Sequence, residues 1–203
     1  MPILDRNDLK YNELGEVFAG QRYLPEYAEI TRGGRGWSVQ TATLFAPLVA
    51  IPTTVAILEV YNQPTSKMVM IIDTLFAVQV LATDVVQTFS IFAQVYTKAA
   101  PSLTALTIYS ASGLAPYTPT VGTRVVTGVG TTVIANGWRP WGPVQAWALA
   151  AATPVNAWHT EINGRLLVPP GASLQLHVAG SLATASSFQV GASWYEANIT
   201  AAT

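Results

Sequence analysis

From Trp37 onward, short runs of apolar, β-branched and aromatic residues alternate with turn residues, and no stretch sustains a 3.6-residue period. The clearest pattern lies near the C-terminus, where Leu174, Leu176 and Val178 alternate with Ser173, Gln175 and His177. A period of two places one set of side chains on each face of a strand. Ser187 to Ala197 repeats it through Phe188, Val190 and Ala192. β-Branched and aromatic content predicts further strands over Val55–Tyr61, Met68–Ile72, Gln87–Tyr96, Thr104–Tyr109 and Thr123–Ala135. Gly128 and Gly130 predict a bulge or kink in the last of these. His159 to Val168 reads as a strand broken at Asn163-Gly164, a hairpin-turn dipeptide, and Pro169-Pro170-Gly171 as a tight turn. Ala148 to Ala152 fits a short helix or a small-residue loop.

Eight or more short strands separated by turn signals predict an all-β fold, a β-sandwich of the jelly-roll type. The segment ahead of it differs. Residues 1–36 hold 11 of the 21 charged residues. The shift falls at Arg32, Gly33, Gly34, Arg35 and Gly36, whose glycines permit a sharp change of direction. The chain therefore divides into an N-terminal arm, residues 1–36, and a β-body, residues 37–203. In the arm, Tyr11, Leu14 and Phe18 stand at i, i+3 and i+7, the spacing of one face of a short helix. Gly15 weakens that helix and Gly20 and Pro25 end it, so the arm is expected to be extended or briefly helical. It would order by docking on its own body or on a neighbouring subunit, through the face made by Tyr11, Leu14 and Phe18.

Composition narrows the function. Among 203 residues there is no cysteine, which excludes disulfide scaffolds, thiol catalysis and cysteine-ligated metal. Charged residues are 10% of the chain, against about 25% in a typical soluble domain, and half of all residues are hydrophobic. Mean hydropathy is +0.34. No run supports a spanning helix of about 20 apolar residues. Ala42 to Val60 contains Pro47 and Pro52, and Met68 to Val95 is interrupted by Asp73, Gln79, Asp84 and Gln87. A membrane β-barrel would need a polar, charged lumen that these strands do not supply. The charged start, lacking an apolar h-region, is not a signal peptide, so a cytoplasmic site of synthesis and no membrane partner are expected.

The run Gly164-Arg-Leu-Leu-Val-Pro-Pro-Gly-Ala-Ser-Leu-Gln-Leu, followed by Gly191-Ala-Ser-Trp-Tyr-Glu, resembles the last strands of jelly-roll virion proteins of tailed phages. These include capsid decoration (cement) proteins and trimeric spike-type domains. Ala56 to Ile72 is similar to the paired strands near the start of such folds. The resemblance spans about residues 40–197. It implies a structural protein rather than an enzyme: a homotrimeric subunit in the virion, assembled in the host cytoplasm. Its partners would be copies of itself and the major capsid protein or other virion proteins. The alternative it leaves open is the receptor- or glycan-binding head of a spike or fibre.

Candidate chemistry adds little to this picture. His159 and Glu161 share a strand face, but a zinc deaminase needs cysteines as well, and His177 lies in another predicted strand. Asp73 and Asp84 read as strand-end or hydrogen-bond acceptors. No nucleophile elbow appears, and Gly128-Val129-Gly130 lacks the third glycine of a dinucleotide fingerprint. No catalytic residue, metal site or cofactor is expected. The Arg-Gly-Gly-Arg-Gly segment is a hinge rather than a nucleic-acid site, since the net charge is −1 and the arm is not basic. The tryptophans carry more weight. Trp138, Trp141, Trp147 and Trp158 fall close together, with Arg139 among them, and glycine and proline place the first two in a loop. Trp138, Arg139, Trp141 and Trp147 are candidate interface or glycan contacts, weighed against simple core filling.

Overall fold

A computed structural model of the chain describes residues 10–11, 17–18, 31, 34–50, 56–81, 87–97, 106–113, 123–128, 137–147, 156–181 and 187–198. Their elements are all strands: β1 Lys10–Tyr11, β2 Val17–Phe18, β3 Gly36–Gln40, β4 Ala56–Asn62, β5 Met68–Leu81, β6 Gln87–Thr97, β7 Tyr109–Ser110, β8 Thr123–Gly128, β9 Arg139–Trp147, β10 Asn156–Glu161, β11 Leu167–Val168, β12 Ala172–Gly180 and β13 Ser187–Asn198. Among the described residues no helix is long and apolar enough to cross a membrane.

Two antiparallel sheets form a β-sandwich. One runs β10-β5-β13-β3-β7, with β11 also paired to β5; the other runs β8-β4-β12-β6-β9. For brevity these are the β5/β13 sheet and the β4/β12 sheet. The alternation of apolar residues sets which faces meet. Leu58, Val60, Ile91, Ala93, Leu174, Leu176 and Val178 from one sheet pack on Met70, Ile72, Leu75, Ala77, Phe188, Val190 and Trp194 from the other in a single core. Aromatic rings stitch the layers. Phe89 of β6 meets Phe188 of β13 edge-on at 4.6 Å, and Phe188 meets Trp158 of β10 at 5.6 Å. Such edge contacts add about 0.5–1.5 kcal/mol beyond area burial.

Bulges explain where the sequence pattern slips. Ile57 is an extra residue on β4 opposite Thr127 and Gly128, so Ile57 and Leu58 both reach the core. The glycine-marked irregularity expected in β8 is therefore a bulge carried by its partner. Asp73 is likewise an extra residue on β5 between the pairs Ile72–Trp194 and Thr74–Ser193. Its carbonyl accepts the N–H groups of Ile162 and Asn163.

That contact revises the hairpin expected at Asn163-Gly164. The flanking strands β10 and β11 do not pair with each other; both pair antiparallel with β5. Residues 162–166 are instead an excursion from one continuous edge. Its tip is still the turn that the dipeptide encodes. Asn163 (φ 50°) and Gly164 (φ 76°) are both left-handed, and Arg165 N–H donates to the Ile162 carbonyl at 3.1 Å. Between β3 and β4 the chain changes sheets. Phe45 pairs with Phe188 of β13, and three residues on Leu48 pairs with Ala179 of β12.

In the arm, the described residues depart from the expected helix. β1 and β2 pair antiparallel, with Tyr11 opposite Val17 and Phe18 opposite Lys10. Paired strands do not share the i, i+3, i+7 geometry of a helix face. Leu14 lies outside the described residues.

The aromatic stitch should dominate core stability. Phe188→Ala is expected to destabilise the fold by about 3–5 kcal/mol in a denaturant titration. A loss below about 1 kcal/mol would show that the two layers do not meet at this ring.

Candidate functional site

The tryptophan segment lies on an edge strand. Among the described residues β9 pairs only with β6 in its sheet, and Pro140 and Pro143, which cannot donate to a ladder, sit on that edge. A register shift lets Ile91 face Trp141 while Phe89 faces Gln145, so the residues between them bulge. Trp141 is thus in a strand rather than the expected loop. Its ring packs against the core, half-buried. The Arg165 guanidinium covers the ring at 5.7 Å and is itself held by donating to the Ile162 carbonyl from Nε and the Glu161 carbonyl from Nη2. The excursion after β10 therefore closes the side of the sandwich over β9.

Trp138 stands just before β9 and is 6% exposed, packed with Ala56 and Phe92 on the outer face of the β4/β12 sheet. It has no open face on which a saccharide could stack. Gly137 beside it lies so close to the Gln94 side chain that an added Cβ would collide with Oε1. Arg139 is exposed, opposite Ala93 in the ladder. Trp147 stands opposite Gln87. Trp158 is a core residue of β10. Trp138, Trp141 and Trp158 are therefore not one cluster: the structure brings Trp141 to Arg165, sends Trp138 to an outer face and Trp158 to the core.

In the segment expected to be a hinge, Gly34 is left-handed (φ 75°), its N–H donates to the Thr31 carbonyl, and β3 begins at Gly36. Arg35 is exposed. Arg32 and Gly33 lie outside the described residues.

Period-two alternation alone would place Ser173, Gln175 and His177 in solvent, yet all three are buried. They form, with Glu59 and Tyr61 of β4 and Ser90 and Gln94 of β6, a buried row on the outer face of the β4/β12 sheet. Gln94 Nε2 donates to Gln175 Oε1 at 2.6 Å across the ladder. His177 Nδ1 lies 2.8 Å from the Val178 carbonyl. A carbonyl can only accept, so Nδ1 carries a proton. Burial penalises the cation, and its pKa falls from 6.5 to about 4 despite that hydrogen bond. No sequence signal marks this covering, because a buried polar face and a solvated one have the same pattern.

Beside this row is an open cleft of about 400 Å³, walled by Val49, Phe89, Phe92 and Gly180 and lined by Ser90. Ser90 Oγ is buried with no hydrogen-bond partner among the described residues. On the opposite sheet, His159 and Glu161 are both exposed on β10, opposite Phe76 and Thr74. Asp73 accepts from Ser193 Oγ at 3.4 Å; Asp84 lies outside the described residues. Among the described residues no three His, Asp or Glu side chains gather as a metal cluster would. Comparison of the chain with family models, curated proteins and solved structures found no match.

The buried imidazole sets a pH dependence. Its folded pKa lies below the unfolded value, so the unfolded chain binds the extra proton between them. The contribution is fully present above pH 6.5 and is lost as pH falls toward 4, a loss of roughly 3 kcal/mol in unfolding free energy. His177→Gln should flatten this stretch of the stability profile. An unchanged slope in that variant would place the titration elsewhere.

Proposed function

We propose that the sandwich is a jelly roll and that the protein is a virion structural subunit, a capsid decoration subunit that works by associating with copies of itself and with the shell beneath. The strand order carries this reading. Set aside the short β7, β8 and β11. Then β3, β13, β5 and β10 are neighbours in that order in one sheet, and β4, β12, β6 and β9 in the other. Along the chain, β3, β4, β5 and β6 alternate between sheets, β6 to β9 stays within one sheet, and β10, β12 and β13 alternate again. Eight strands in two interleaved Greek keys are the jelly-roll arrangement, an architecture of viral capsid domains.

The composition of the body supplies the mechanism. The 167 residues from Trp37 carry only ten charged side chains, and of their five carboxylates Glu59 and Glu196 are buried. So little charge leaves an outer surface suited to permanent, apolar contacts between subunits. The charged arm is the segment that reaches a neighbour or the shell, and its ordering on contact costs about 1–2 kcal/mol per residue fixed.

Light scattering on the purified chain tests the association. The expected mass is three times the 21.6 kDa chain, and the number of chains per particle is expected to fall when residues 1–33 are removed. A monomer at micromolar concentration contradicts the reading, and an unchanged number of chains after truncation removes the arm from it.

A further inference from the structure

The two outer faces of the sandwich are unlike. The outer face of the β4/β12 sheet is buried within the chain, as Ser173, Gln175 and Tyr61 show. The outer face of the β5/β13 sheet is apolar along β5 and polar along β3 and β13, where Gln40 donates to Gln189. Along β5 it presents Val69, Ile71, Phe76 and Val78, all half-buried. Phe76 lies flat across the space that a side chain at Gly191 would fill, which smooths the surface over β13. Exposed large apolar residues stand at both margins. Leu167 of β11 is 50% exposed and pairs with Ile71; Tyr109 of β7 is 50% exposed and pairs with Ser38 of β3. The polar groups in the middle already satisfy one another: Thr74 and Ser193 share a hydrogen bond, and Ser193 donates to Asp73.

We infer that this face is where a second copy of the chain docks, a conclusion that rests on the self-associating role proposed above and names its surface. The size fits. The outward stretch from Val69 to Val78 is about 30 Å long at ~3.3 Å per residue, and five strands at ~4.8 Å spacing make the face about 19 Å wide. That is roughly 600 Å² in projection, close to the ~800 Å² per partner of a standard interface. The charge fits as well. Charge on it is sparse: Asp73 accepts from Ser193, and His159 and Glu161 stand exposed at the β10 margin, so a docked copy would cover one carboxylate, already hydrogen-bonded, in the middle of the face.

Leu167→Lys with Tyr109→Lys tests this, because both residues are half-exposed and the substitutions leave the core intact. Val49→Lys is the control, since Val49 is 63% exposed beside the cleft on the other sheet. Sedimentation velocity across a concentration series is expected to show at least a tenfold weaker self-association for the double variant, an unchanged value for the control and equal thermal midpoints for all three proteins. If the parent protein assembles and the double variant assembles equally well, or if the control alone dissociates, the docking face is wrong while the structural role stands. If the parent is a monomer throughout, the role itself falls and the face with it.

Discussion

Coverage of β12 on both faces is the constraint from which the rest of the structure follows. Its apolar set, Leu174, Leu176 and Val178, meets the opposite sheet, while Ser173, Gln175 and His177 are closed off from water on the other side. A central strand buried on both faces must satisfy its polar side chains within the chain. Gln175 does so through Gln94, and His177 by turning Nδ1 to a backbone carbonyl and remaining neutral. Trp138 packs on Ala56 and Phe92 on the same side, and Gly137 beside it lies against the end of the Gln94 side chain. The central strands of the β4/β12 sheet are thereby buried on both faces, while half-buried side chains line the outer face of β5.

Much of the sandwich was legible from period-two alternation. The strands at Ala56–Asn62, Gln87–Thr97, Ala172–Gly180 and Ser187–Asn198 stand close to where Val55–Tyr61, Gln87–Tyr96, the Leu174 alternation and Ser187–Ala197 predicted them. What local pattern could not carry was pairing. Asn163-Gly164 fixes the backbone of a turn but not the partner of the strands around it, and here both choose β5. β5 also runs on past Ile72 to Leu81, since the bulge at Asp73 absorbs the break in alternation.

The site residues were legible by type more than by place. Glycine and proline near Trp138 and Trp141 pointed to a loop, yet prolines are equally at home on an unpaired edge, and β9 is one. The stacking of Arg165 on Trp141 joins residues far apart in sequence that only the β10 excursion brings together. In the arm, the spacing of Tyr11 and Phe18 suited a helix, but Gly15 between them suits a reversal of direction equally well, and the described residues pair as strands. The burial of His177 has no signature in the alternation of its own strand.

The central claim is that one outer face is closed by the chain itself and the other by a copy. Hydroxyl-radical footprinting at low and high protein concentration reads both faces in one measurement. The account predicts that His177 and Tyr61 stay unreactive at every concentration, while Phe76, Tyr109 and Leu167 react in dilute protein and become protected as it is concentrated. Labelling of His177 at the rate of the exposed His159, or reactivity of Tyr109 and Leu167 that ignores concentration, would contradict it.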